Sequence, residues 1–204
     1  MAVHRAASFD LNQGRSGPAA TDSAYLEQSM HMPVRFKGPK TIPNPLETMV
    51  RDHESQLGIC NCLEKIADGL PGDVDRELCG TVIESLKIDL PIHHRDEEEG
   101  LFPLLEKRAE PQDNITDVLA RLALEHATDE SFADELLDSL EALFRGETPQ
   151  NPDMLGYMLR GFFESYRRHI YWENTIVLPL AQLRLSSPDL ATLGKRMARH
   201  RSGA

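Results

Sequence analysis

The chain has 204 residues, enough for one domain of ordinary size with appended segments. Its 40% hydrophobic and 27% charged residues exclude a generically disordered polymer, and no run approaches the roughly 20 apolar residues of a membrane span. A formal net charge of −11 at pH 7 excludes a general nucleic-acid binder, which needs basic surface to displace counterions from phosphate.

Residues 1–42 mix Gly, Ser, Pro and scattered charge without periodicity, and are expected to form an N-terminal extension, flexible or draped. They begin without the apolar core of a signal peptide, so a cytoplasmic protein is expected. Asn44-Pro45 then supplies an N-cap and a first-turn proline, and predicts a helix running to Leu70, where Pro71-Gly72-Asp73 breaks it. A second helix is expected from about Val74 to Lys107, closed at Glu110-Pro111. A third spans about Ile115 to Phe144 and stops at Arg145-Gly146. Asn151-Pro152 repeats the start signal for a fourth, which continues to about Leu183. Ser187-Pro188 opens a short fifth helix ending in the basic stretch Lys195 to Arg201, whose charge suits a helix C-terminus.

No segment alternates with a period of two, so the expected class is all-α. Four long helices with short loops pack best as an antiparallel up-down bundle, over about 43–184, with residues 185–204 as the short C-terminal helix and tail. Leu46, Met49, Val50, Leu57 and Cys60 make the apolar stripe of the first helix, and Leu155, Met158, Phe162, Val177 and Leu180 that of the fourth. Cys60, Cys62 and Cys79 are too few for a disulfide framework and read as buried thiols.

The informative residues interrupt those stripes. His53, His93, His126 and His169 each fall in an inward register, and Glu97 and Glu173 follow two of them by one turn. In an antiparallel hairpin, residues equidistant from the turn share a height. The midpoint of 53 and 93 is 73, that of 97 and 126 lies between 111 and 112, and that of 126 and 169 between 147 and 148. Each midpoint falls in a loop placed independently from Pro, Gly and Asn signals. The six side chains therefore meet at one level, and buried carboxylates there require positive charge.

The chain also repeats itself. His93-His94-Arg95-Asp96-Glu97-Glu98 leads to Pro103, and His169-Ile170-Tyr171-Trp172-Glu173-Asn174 leads to Pro179. Each copy reads His-x-x-x-Glu with Pro six residues after the Glu; upstream, Asp52-His53-Glu54 matches Glu125-His126-Ala127. Two copies of a helical hairpin make a pseudo-twofold site suited to two ions. Imidazole with carboxylate fits iron, manganese or zinc, and six donors exceed the four of one tetrahedral structural zinc. The Glu-x-x-His order of ferritin-like bundles is absent.

The run from His93 to Pro103 resembles the hallmark of the hemerythrin-like HHE cation-binding family, and the likeness extends over about residues 44–183. The resemblance implies an antiparallel four-helix bundle holding two iron ions in an oxo- or hydroxo-bridged centre. His53 and His93 are then implied to bind one iron, His126 and His169 the other, with Glu97 and Glu173 bridging. Oxygen-carrying members have a further His one turn after the third helix's His. This chain has Glu130 there, a candidate terminal ligand whose alternative is water. An anionic ligand at that place favours the ferric state over reversible O2 carriage.

One residue along a helix turns the side chain by about 100°. The repeat therefore selects His93 as the inward residue and leaves His94 partly exposed or beside the ligands. Glu54, Glu98 and Glu99 read as a solvated face, and Tyr166, Tyr171 and Trp172 as core packing. Pro91 is expected to kink the second helix, and Pro103 and Pro179 to loosen the turns that follow the site. The function expected is binding or sensing of O2, a related small oxidant or iron, with a diatomic or peroxide ligand as the partner. The rivals are a peroxidase, oxidase or nitric-oxide reductase using the same centre, and a purely structural metal bundle.

Overall fold

A computed structural model describes residues 42–203, and the expected extension over 1–42 lies almost wholly outside them. The described residues form helices and connecting turns, with no strand among them. Helix α1 covers Pro45–Gly69 and begins as the sequence signals: the Asn44 side chain accepts from the Glu47 N–H, and Pro45 occupies the first turn. Helix α2 starts two residues later than expected, because Asp75 caps it by accepting from the Glu77 and Leu78 N–H groups. It is α-helical over Arg76–Glu84, Leu90–Arg95 and Phe102–Arg108, with wider π turns at Ser85–Asp89 and Asp96–Leu101. Helix α3 covers Ile115–Arg145 and ends on Gly146 at φ 84°, a left-handed conformation that glycine adopts without strain.

Helix α4 opens on Asn151, which accepts from the Met154 N–H, and runs as Pro152–Trp172, a π turn at Glu173–Val177, and Leu178–Arg184. Helix α5 covers Ser187–Ser202, with Ser186 and Asp189 capping each other's backbone N–H groups.

The prolines explain the π turns. Pro91, Pro103 and Pro179 each stand at the second position of the α segment that follows one. A proline inside an α-helix donates no hydrogen bond and its ring collides with the carbonyl four residues back. Widening the preceding turn removes that collision, and the N–H just before each proline bonds five residues back instead. Leu90 reaches Ser85, Phe102 reaches Glu97, and Leu178 reaches Glu173. The kink expected at Pro91 is thus a widened turn within a continuous helix.

Helix α1 packs on α2 and α4, and α3 likewise packs on α2 and α4. The contacts divide into two apolar clusters. One holds Cys60, Leu63, Leu86, Leu90, Leu136, Phe162 and their neighbours. The other holds Leu46, Met49, Leu101, Leu105, Leu119, Leu122, Val177 and neighbours on α5. On α1, α2 and α3 the inward His lies between the two clusters; on α4 Glu173 does, with His169 beside Ile170 of the first cluster. Val50, expected on the first stripe, is largely turned to solvent. Cys60 and Cys79 are buried as expected, while Cys62 is only half-buried.

The basic end of α5 does more than complement a dipole. Arg201 donates to Asp52 at 2.6 Å and to Asp96 at 2.7 Å, and His200 faces Asp96 at 2.7 Å. Arg196 donates to the carbonyl of Glu99. The Asp96 side chain is fully buried, so the Arg201 guanidinium balances a charge the bundle encloses.

Candidate metal centre

His53, His93, Glu97, His126, His169 and Glu173 are all buried, none more than 2% exposed. They converge as two overlapping groups of four: His53, His93, Glu97 and Glu173, and Glu97, His126, His169 and Glu173. Within each group the donor atoms lie within 4.8 Å of one another, and both glutamates belong to both groups. The Nε2 atoms of His53 and His93 are 3.1 Å apart, as are those of His126 and His169. Glu173 reaches His169 at 3.1 Å, His53 at 3.3 Å and His126 at 3.6 Å. Glu97 reaches His126 at 3.3 Å, His93 at 3.4 Å and His53 at 3.8 Å. Both glutamates begin or sit within a π turn, a local geometry frequent at functional sites.

Three of the four outward ring nitrogens donate to an oxygen of a neighbouring helix, while the fourth, His93 Nδ1, is buried without a hydrogen-bond partner. On α1, Asp52 approaches His93 Nδ1 of α2 at 3.9 Å. On α2, Glu98 accepts from His126 Nδ1 of α3 at 2.8 Å. On α3, Glu125 accepts from His169 Nδ1 of α4 at 3.1 Å. On α4, Asn174 accepts from His53 Nδ1 of α1 at 2.8 Å. Each of these residues stands next in sequence to an inward donor on its own helix and faces the imidazole of the following helix. An oxygen that accepts at Nδ1 fixes the tautomer that presents a lone pair at Nε2, the arrangement usual for metal-binding histidine. Glu98 is exposed, as expected of a solvated face, and from there its carboxylate reaches His126.

The charges explain what the group lacks. Burial disfavours a charged His53, but the neighbouring Glu173 and Glu97 carboxylates outweigh it and push the imidazole up to about 10. The same opposition, burial against Glu173 and Glu97, lifts His126 to about 11. Burial and the adjacent Glu173 oppose the charge on Glu97, yet the surrounding imidazoles bring it down to about 2. Metal-free, the cluster holds protons where cations belong. All four carboxylate oxygens of Glu97 and Glu173 are buried without a hydrogen-bond partner. Such orphaned acceptors cost folding energy unless a cation serves them, and the nitrogen and oxygen donor set suits iron, manganese or zinc.

A model of the hemerythrin HHE cation binding domain matches residues 44–181. The chain belongs to this family. No curated protein matches it. Hemerythrin-family membership carries cation binding, and the paired His and Glu groups are compatible with a metal site. Glu130, at the place where oxygen-carrying hemerythrins have a further His, lies outside both groups. Its carboxylate instead accepts from His94 Nδ1 at 2.9 Å.

Of the two expectations for His94, partial exposure or a place beside the ligands, burial removes the first, since it is only 2% exposed. Its ring stacks on His126 with centroids 4.0 Å apart. Burial, partly offset by Glu130, pushes it down to about 4. Tyr166 is buried and stacked between Phe162 and His169 as a packing residue, whereas Tyr171 and Trp172 are 65% and 49% exposed. They follow His169 by two and three residues, which carries them off the inward face. No described helix is long and apolar enough to cross a membrane.

Proposed function

We propose that this chain is a cytoplasmic non-haem di-iron protein that binds or senses O2, a related small oxidant, or iron itself. In this reading residues 43–184 form an antiparallel up-down four-helix bundle, with 1–42 as an extension and 185–204 as a closing C-terminal segment. His53 and His93 hold one iron, His126 and His169 the other, and Glu97 and Glu173 bridge them. When bound, the pair of irons supplies a change of redox state and open coordination positions for a diatomic or peroxide ligand. The chain's own part is to bind, orient and exclude. Asn174, Glu98 and Glu125 orient the imidazoles of His53, His126 and His169, and the apolar clusters on either side keep water away.

One observation carries the reading: two buried glutamates, without hydrogen-bond partners, are each shared between two pairs of imidazoles. A shared carboxylate between two donor pairs is what two ions of coordination above four require, and one tetrahedral zinc leaves donors over.

The test is metal analysis of protein purified from cells without added metal. Two irons per chain with oxo-bridge absorption in the near ultraviolet are expected; one ion, or zinc alone, defeats the proposal. His93→Ala and His169→Ala should each lose at least one iron. Sustained turnover of hydrogen peroxide or nitric oxide by the loaded protein moves the reading from sensor to enzyme.

A further inference from the structure

Of the four outer residues, Asp52 alone fails to reach its imidazole. Its Oδ2 stands 3.9 Å from His93 Nδ1, and that nitrogen is buried without a hydrogen-bond partner. The same Oδ2 accepts from Arg201 Nη2 of α5 at 2.6 Å. Glu125 shows the other arrangement. It too carries an arginine but divides its oxygens, Oε1 to Arg121 at 2.9 Å and Oε2 to His169 Nδ1 at 3.1 Å. Asp52 is one methylene shorter, and the oxygen that faces its imidazole is the one the guanidinium holds. Arg201 does not depend on Asp52 alone, since its Nε and Nη2 both donate to Asp96 Oδ2, at 3.1 and 2.7 Å. An imidazole that turns Nε2 to an ion carries its proton on Nδ1, and that proton needs an acceptor. For His93 the acceptor at hand is Asp52, which α5 already claims.

We propose that Asp52 is a switch between the centre and α5, its carboxylate serving either His93 or Arg201. When His53 and His93 hold an ion, Asp52 turns to His93 Nδ1 and lets go of Arg201, so the end of α5 loses one of its two carboxylate anchors. The assignment rests on the di-iron reading above and adds an output to it, because occupancy of one ion loosens the C-terminal helix. Linkage makes the effect reciprocal: whatever holds Arg201 on Asp52 weakens that ion, and removing the guanidinium strengthens it. The ion of His126 and His169 stands outside the exchange, since Glu125 serves its arginine and its imidazole at once.

The experiment follows backbone hydrogen exchange over residues 197–202 of the full chain, metal-free and loaded anaerobically with two Fe(II) per chain. Exchange there is expected to rise several-fold on loading. Asp52→Glu, long enough to divide its oxygens as Glu125 does, should remove the rise. In competition with a chelator, Arg201→Gln should tighten one ion about tenfold, the lower end of what an outer partner is worth. Arg121→Gln should change neither ion. An arginine that only supports the fold would give the opposite sign. The proposal is overturned if loading lowers exchange in α5 or leaves it unchanged, if Asp52→Glu keeps the rise, or if Arg201→Gln weakens the ion or leaves its affinity alone. Should Arg201→Gln fail to fold, the comparison of wild type with Asp52→Glu decides by itself. Wild type that fails to hold two irons removes the di-iron reading itself, a result distinct from these.

Discussion

Three of the four inward imidazoles, His53, His126 and His169, depend on an oxygen supplied by a neighbouring helix, and the residues that supply it are those whose removal is most informative. Asn174→Ala takes the acceptor from His53 and leaves all six inward donors in place. Loss of such an outer partner typically weakens metal affinity by roughly 10- to 100-fold. Titration against a competing chelator should show that weakening at one ion, with Glu54→Ala, an exposed change beside His53, as the silent control.

The metal-free protein should also respond to pH in a defined direction. His53 and His126 are raised from the ordinary 6.5 to about 10 and about 11, so the stability they contribute is complete below pH 6.5 and lost as pH rises through those values. Glu97, lowered from 4.5 to about 2, contributes above pH 4.5 and loses that contribution only on acidification. Between pH 7 and 10 the thermal midpoint of chelated protein should therefore fall. Metal-loaded protein should not follow it, because cations have replaced the protons. A parallel fall in both would refute the exchange.

The six inward donors were legible in the sequence because helical register and hairpin midpoints are fixed by spacing alone. Their outer partners were not. Glu98, Glu125 and Asn174 lie off the apolar stripe, and only the packing of one helix against the next brings them to an imidazole. For His94 the sequence left two places open, partial exposure or a seat beside the ligands, because burial of its face depends on where α3 lies.

At the level of the helices, the start and stop signals read well. Asn44-Pro45, Asn151-Pro152 and Gly146 act as expected, since capping is local chemistry. The π turns were hidden because period-counting assumes a uniform 3.6 residues per turn. The repeated spacing from Glu97 to Pro103 and from Glu173 to Pro179 was their one outward sign.

The role of α5 was underestimated for want of its partners. Arg201 bridges Asp52 and Asp96, which neighbour His53 and Glu97 in sequence, and it shares Asp52 with His93. Arg201→Ala leaves the buried Asp96 with His200 as its remaining partner and should destabilise the fold by on the order of 3 kcal/mol. Arg201→Lys should recover only part of that, because an ammonium cannot present the planar fork that spans two carboxylates. Urea denaturation of the metal-free proteins measures both; wild-type stability in the alanine variant would show the bridge to be incidental.

Over the whole molecule, a polar layer is enclosed between two apolar clusters, and each long helix contributes to all three. The internal repeat makes this possible: α1 with α2, and α3 with α4, are two versions of one packed helix pair, each carrying two inward histidines and one shared glutamate. Two of the three Nδ1 hydrogen bonds cross between the helix pairs, from His126 to Glu98 and from His53 to Asn174. Neither half is complete alone, since each keeps an acceptor without an imidazole to serve and an imidazole without an acceptor. A chain severed between 146 and 150 should consequently yield two pieces that bind iron poorly apart and recover the intact protein's uptake when mixed in equal amounts. Gel filtration with metal analysis reads that outcome, and pieces that load iron singly would disprove the mutual dependence. The molecule would then behave as a lock whose tumblers are set by the opposite half, so that either portion, kept by itself, has lost the combination.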